Sequence, residues 1–184
     1  MLRFVLYHIR FQNWDASSNF LVEKKSEYLG VWRGVFGLSS RDCIVICPDT
    51  DSDQPFIAPD GTEVIKSVNL SSTARPQSSA PLTQSGLYVF RTFEIDRENI
   101  EAAVDLSTRG WLYFEDQPDF AAQPIALFEV ALKVSSYLLL ITWYRDFRSW
   151  ERSREPDPEA TKNFVARQKL THSTLAIATR LWGE

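Results

Sequence analysis

The chain has 184 residues, 44% of them hydrophobic and 24% charged, with a formal net charge of −4 and a pI near 5.3. This balance is that of an ordinary globular protein and excludes a disordered chain, and the acidic charge without any basic block excludes a nucleic-acid partner. Apolar runs such as Tyr137–Ile141 fall far short of the roughly 20 residues that cross a bilayer, so no membrane span is expected.

The first strand runs from Leu2 to Arg10 and is rich in aromatic and β-branched residues. Its apolar start is too short for a signal peptide, His8 and Arg10 interrupt it, and no small-residue cleavage site follows, so a cytoplasmic location is expected. Asn13-Trp14-Asp15 reads as a turn. A helix from about Ser17 to Leu29 follows, with Ser17 or Ser18 as N-cap and Gly30 as its stop. The second strand is Val31 to Leu38, whose two glycines predict a bulge or a close backbone approach. Arg41-Asp42 is expected to be a hairpin turn before a third strand, Cys43 to Cys47. The two cysteines share a strand face about 13 Å apart, too far for a disulfide, so free buried thiols in a reducing compartment are expected. Pro48 to Gly61 is a polar loop rich in Pro and Asp, Glu63 to Arg75 a fourth strand, and Pro76 to Ser85 a linker.

The second half opens with a strand from Leu87 to Ile95. Asp96 then caps a helix whose Ile100, Val104, Ser107 and Trp111 recur on one buried face, with Glu98, Glu101, Asp105 and Arg109 outward. Strands Ile125–Leu132 and Tyr137–Tyr144 flank a Ser135-Ser136 hairpin. Asp146 to Arg154 reads as a short polar helix. Asp157-Pro158 starts another helix that runs to about Leu170, and Thr174 to Trp182 is the last strand.

The two halves resemble each other. Met1–Ile9 has its counterpart in Leu87–Ile95, Phe36–Ile46 is echoed by Ala131–Ile141, and each half closes on a Thr/Arg pair, Thr73 with Arg75 and Thr179 with Arg180. Each reads β-α-β-β-(α)-β, the ferredoxin-like order, with the last helix lost from the first copy. The predicted fold class is α+β, a tandem repeat of two ferredoxin-like units packed through their bare sheet faces. The expected division is 1–76 for the first unit, 77–85 for the linker and 86–184 for the second.

The strand Gly86–Ile95 resembles the opening "iyElRtY" strand of NIPSNAP-like proteins, and Leu139–Arg152 resembles that family's "hxWxYxsLxxR" block. The likeness covers residues 86 to 182 and reaches the first half only through the repeat. The family's usual Glu is Val89 here, and the first copy has Val5 where the second has Arg91. The resemblance implies the dimeric α/β-barrel group, in which two such units pack sheet to sheet. That group includes cofactor-free monooxygenases, haem enzymes and ligand-sensing domains, so the fold alone does not choose an activity.

Strand alternation puts Val89, Arg91 and Phe93 on one side of their strand and Thr142 with Tyr144 on one side of theirs. The Arg91 face is expected to be the barrel interior, since a cation under packed helices without a partner would be costly. Arg91, Phe93, Thr142, Tyr144 and Arg180 are then candidate ligand-binding residues, suited to an anionic or carboxylate group. The alternative is that Arg91 and Arg180 pair with Glu129 or Glu115 and only fix the sheet. Asn13-Trp14 resembles the Asn and Trp of monooxygenases in this group, against the plain reading as a turn. His8 and His172 lie at strand and helix ends, with His172 placed to cap helix carbonyls. No metal spacing, phosphate loop or nucleophile motif is present, and no cofactor is expected. The functional expectation is a small ligand or partner bound in or around the barrel cavity. The alternatives are a cofactor-independent monooxygenase acting on a small acidic or aromatic substrate, and an aromatic surface serving a homo-oligomer.

Overall fold

The computed structural model describes residues 1–12, 19, 21, 23–49, 56–117, 119–131, 136–155 and 157–182. Its strands are β1 (Arg3–Phe11), β2 (Gly30–Phe36), β3 (Asp42–Pro48), β4 (Thr62–Ser72), β5 (Leu87–Ile95), β6 (Ala122–Ala131), β7 (Ser136–Tyr144) and β8 (Thr171–Leu181). Among the described residues the helices are α1 (Ile100–Glu115), α2 (Phe147–Arg152) and α3 (Pro158–Gln168), with single 3-10 turns at Lys25–Glu27 and Arg97–Asn99. The strands close into one antiparallel barrel in the order β1-β3-β2-β8-β5-β7-β6-β4.

Each half supplies four strands in the spatial order fourth, first, third, second, and the fourth strand of each half pairs with the second strand of the other. This is the predicted α+β architecture of two ferredoxin-like units joined sheet to sheet. On one side of the barrel the join is short, with Ser71 opposite Glu129 and Ser72 opposite Phe128. Thr73 prolongs it by donating its N–H and Oγ–H to the Leu127 carbonyl at 3.0 and 2.7 Å. On the other side β2 meets β8 from Trp32–Leu181 to Phe36–Ala178, with the bulge that the glycines predict falling between Gly34 and Phe36.

Phe4, Trp32, Ile46, Leu70, Tyr88, Phe90, Phe128 and Ile141 come from both halves and form one core inside the barrel. Trp32 meets Phe90 edge-on at 5.1 Å and Tyr88 at 5.9 Å across the two sheets. The outer face of β5 and β7 carries Phe93, Ile95, Leu138 and Leu140, which pack under Ile100, Ala103 and Trp111 of α1. The Arg91 face is therefore outside the barrel, under the helices, and the expected interior assignment is reversed. Tyr88 and Phe90 bring far more apolar area to the dry interior than Val89 and Arg91 would, and the helix side leaves a guanidinium partly solvated.

The segment after β4 crosses one end of the barrel. Leu82 N–H donates to the Leu29 carbonyl at 2.8 Å, and the Tyr88 hydroxyl and Trp143 indole donate to the carbonyls of Gln84 and Ser85 at 2.6 and 2.7 Å. Gly86 ends this crossing with φ +143°, and a Cβ there would strike the Tyr144 carbonyl and the Trp143 indole.

Several local expectations change. Asp42 is a buried first residue of β3 and not a turn residue. His172 lies within β8, 3.1 Å from the Asp96 carboxylate, so Asp96 makes no side-chain cap and His172 answers that acid instead of helix carbonyls. Asp146 and Asp157 do cap α2 and α3, accepting from Ser149 N–H at 2.7 Å and Glu159 N–H at 2.8 Å. Asn13, Trp14, Ser17 and Ser18 lie outside the described residues. Cys43 and Cys47 are free, and burial pushes both thiols up, Cys47 to about 12. No helix among the described residues is long and apolar enough to cross a membrane.

Candidate functional site

A cleft of about 440 Å³ lies between the outer faces of β5 and β7 and the helices α1 and α3. Antiparallel pairing sets Val89 opposite Thr142 and Arg91 opposite Leu140, so alternate residues of both strands reach the same side. Arg91, Phe93, Thr142 and Tyr144 all line this cleft. Arg180 does not join them. It stands opposite Arg33 on the β2–β8 join, and it is exposed.

The lining contains Arg91, Arg154 and Arg167 and no carboxylate. Glu115, one expected partner of Arg91, is held by Arg75, whose Nη2 donates to it at 2.9 Å while the guanidinium lies 5.0 Å over the Trp111 ring. Among the described residues Arg91 has no ion-pair partner. Burial is the main cause that pushes the Arg91 guanidinium below its ordinary value, and Arg154 adds to it, while Tyr144 acts the other way. Burial likewise pushes the Tyr144 hydroxyl up, against the pull of Ser153, Arg91 and Arg154. Near neutral pH the pair is thus a cation beside a neutral phenol that can donate.

Arg167 is the residue that sequence reasoning missed. It projects from α3, is only 7% exposed, and its Nη1 donates to the Ser107 hydroxyl of α1 at 3.1 Å. Its guanidinium lies 4.5 Å over the Phe93 ring and 5.1 Å over Phe164, and its Nε is buried without an acceptor among the described residues. Burial, then the like charge of Arg91, pushes it down to about 10. No signal in the sequence marks it, because Ser107 donates its hydroxyl to the Ala103 carbonyl at 2.7 Å, as a serine within a helix can do without any outside partner.

Beside the sheet of the first half the described residues form an aromatic cluster. Phe56, from the Pro/Asp loop, stacks on Tyr7 at 4.3 Å and meets Tyr28 edge-on at 6.0 Å, filling the space beside its sheet. A second cavity, of about 300 Å³, lies inside the barrel toward the end away from the crossing segment, walled by Leu6, Ile44, Phe90 and Leu139 with His8 and Lys66 among its lining. His8 is already engaged there. Its Nε2 lies 2.8 Å from Asp42, which also accepts from Arg10 Nε and Nη2 at 2.8 and 3.0 Å. Neither histidine lines the helix–sheet cleft, and no metal-holding group of three His, Cys, Asp or Glu occurs among the described residues.

No family model matches the chain, and no curated protein matches it significantly. Solved structures match along nearly its whole length. A protein from Lactobacillus acidophilus assigned as a monooxygenase superposes with a TM-score of 0.61 at 7% identity, covering 99% of this chain and 94% of its own. A monooxygenase-like protein from Listeria innocua gives 0.58 at 10%, covering 98% and 94%, and a heme-degrading enzyme from Listeria monocytogenes gives 0.52 at 10%, covering 94% and 97%. At these identities the likeness shows the fold, that of ferredoxin-like dimeric α/β barrels.

Proposed function

We propose that this protein binds a small acidic or aromatic molecule in the helix–sheet cleft of its second half. Arg91 takes the acidic group and Tyr144 donates to it, with Phe93 and Thr142 shaping the floor. The observation that carries this reading is an open cleft with a guanidinium unpaired among the described residues and no carboxylate in its lining. The NIPSNAP-like resemblance supports it, since Arg91 and Tyr144 of the resembling strands line the cleft. In the same proposal, residues 86–184 form the ligand-holding unit, 77–85 the connector, and 1–76 the built-in partner that completes the barrel.

Titrating tryptophan fluorescence with small aromatic acids tests the reading, because Trp111 lines the cleft. Binding should be lost about tenfold or more in Arg91→Gln, roughly the worth of one charge-assisted hydrogen bond. Unchanged affinity in that variant would remove Arg91 from the site. A second reading, cofactor-independent oxygenation, is favoured by the neutral phenol beside the cation and by neighbours assigned as monooxygenases. There Arg91 orients an acidic substrate and Tyr144 supplies a proton. Oxygen uptake with phenolic acids that depends on Tyr144 would support it, and equal uptake by Tyr144→Phe would count against it.

A further inference from the structure

An arginine that is only 7% exposed ordinarily has a carboxylate beside it, because an uncompensated charge in a dry site is strongly unfavourable. Arg167 has none among the described residues. What it has is one hydroxyl, Ser107, on Nη1 at 3.1 Å, and two aromatic faces, Phe93 and Phe164. Aromatic faces attract a cation but accept none of its in-plane N–H groups. Arg91 shares the cleft and adds a like charge. The Nη1 side of the fork is occupied by Ser107, and the opposite edge, Nε with Nη2, is the pair of parallel donors that a carboxylate takes bidentately. Its Nε is buried and has no acceptor among the described residues.

Building on the proposal that the cleft holds a ligand, we infer that Arg167 and Arg91 form an anion subsite for the carboxylate of a planar aromatic acid. The remaining walls argue for the rest of that molecule. Phe93, Trp111, Phe114 and Phe164 offer ring faces and edges, and a cleft of about 440 Å³ accommodates an acid of one or two fused rings. A cationic ligand would face the like charges of Arg91, Arg154 and Arg167 with no carboxylate in the lining to offset them. Because Arg91 belongs to β5 and Arg167 to α3, the bound carboxylate ties helix to sheet at a point where the empty protein holds two repelling cations. The empty protein is therefore less stable than it would be without Arg167, and ligand binding restores the loss.

Thermal unfolding of the full chain, followed with 2-naphthoate, its neutral isostere 2-naphthamide, and inorganic phosphate, tests this on wild type, Arg167→Met and Arg91→Gln. The expected result is a midpoint raised by several degrees by naphthoate, much less by naphthamide, and little by phosphate. Arg167→Met should unfold at or above the wild-type midpoint without ligand, yet lose the naphthoate shift and at least tenfold in affinity. Arg167→Gln, which keeps a polar head for Ser107, should lose the shift as well and serves if the methionine variant folds poorly. An Arg167→Met protein that is weakened but keeps the full naphthoate shift would make Arg167 a structural residue and overturn the inference. Equal shifts from naphthoate and naphthamide would leave the ligand cleft standing and remove the anion subsite. Phosphate matching naphthoate would overturn the aromatic acid as its ligand, and no shift from any probe would remove both the subsite and the cleft.

Discussion

Asp42 shows how a polar residue is kept inside this fold. Only 2% exposed, it accepts from Arg10 and lies within hydrogen-bond distance of His8. The Arg10 hydrogen bonds are the largest cause holding its carboxyl below the ordinary range, and His8 adds to them against the cost of burial. A carboxyl whose folded pKa is depressed stabilises fully above its unfolded value, about 4, and the stabilisation is lost as the pH falls through the folded pKa. Asp42→Asn should therefore cost about 2 kcal/mol at neutral pH and make the acid limb of stability, measured by urea unfolding between pH 2 and 6, shallower than in wild type. A variant with an unchanged acid limb would mean that other carboxylates carry it. Arg91 and Arg167 follow the opposite logic, because neither has a matching anion among the described residues. Arg91 was legible in the sequence as a lone cation in an apolar strand. Arg167 was not, because on a helix of mean polar character an arginine ordinarily faces water, and only the crossing of α1 and α3 buries it.

That crossing depends on Gly110. A Cβ at this position would penetrate the Phe164 ring, so glycine alone lets the two helices approach as they do. Phe164 and Arg167 are three residues apart and share one face of α3. Gly110→Leu should push α3 outward, costing about 1 to 3 kcal/mol by overpacking, and should weaken aromatic-acid binding together with stability. Chemical denaturation and the fluorescence titration would both report it, and a stable variant with unaltered binding would show that the crossing does not shape the cleft. The elements themselves were mostly readable from period and punctuation. The strands β1, β3, β5 and β7, the buried stripe of α1 and the Pro158 start of α3 are found within a few residues of their expected places. Boundaries moved where a pairing partner prolonged a strand, as with β8, which begins at Thr171 because β5 continues beside it to Ile95.

The closed barrel binds the two halves into one core. Trp32 of the first half packs on Tyr88 and Phe90 of the second, so neither sheet retains a dry face without the other. Unfolding should accordingly be a single transition, with near-UV and far-UV circular dichroism superimposing, and Trp32→Ala should lower its free energy by about 3 to 5 kcal/mol without splitting it. Two resolved transitions would mean that the halves fold separately. Pairing β4 with β6 and β2 with β8 also covers the edges at which a single ferredoxin-like sheet would otherwise join another chain. Each half carries its own feature on its outer face among the described residues. Phe56 fills the space beside Tyr7 in the first, and α3 stands off the sheet to leave a cleft in the second.

Strand alternation, glycine and proline punctuation and the repeat are local properties of the chain, so they fixed the α+β class, the pairing of two similar units, and the grouping of Arg91 with Phe93 and of Thr142 with Tyr144. Which side of each sheet became the interior is not a local property. Both faces of β5 are apolar enough to be buried, and the choice fell to the face whose partners across the barrel, Trp32 and Phe128, could fill the space with it. The same choice put Arg91 under the helices, left Arg180 apart from the cleft and brought in Arg167 from a distant segment. The candidate site thus owes Arg91, Phe93, Thr142 and Tyr144 to the sequence pattern, and Arg167 and its location to tertiary packing, because burial on either side of a sheet is decided by what lies opposite.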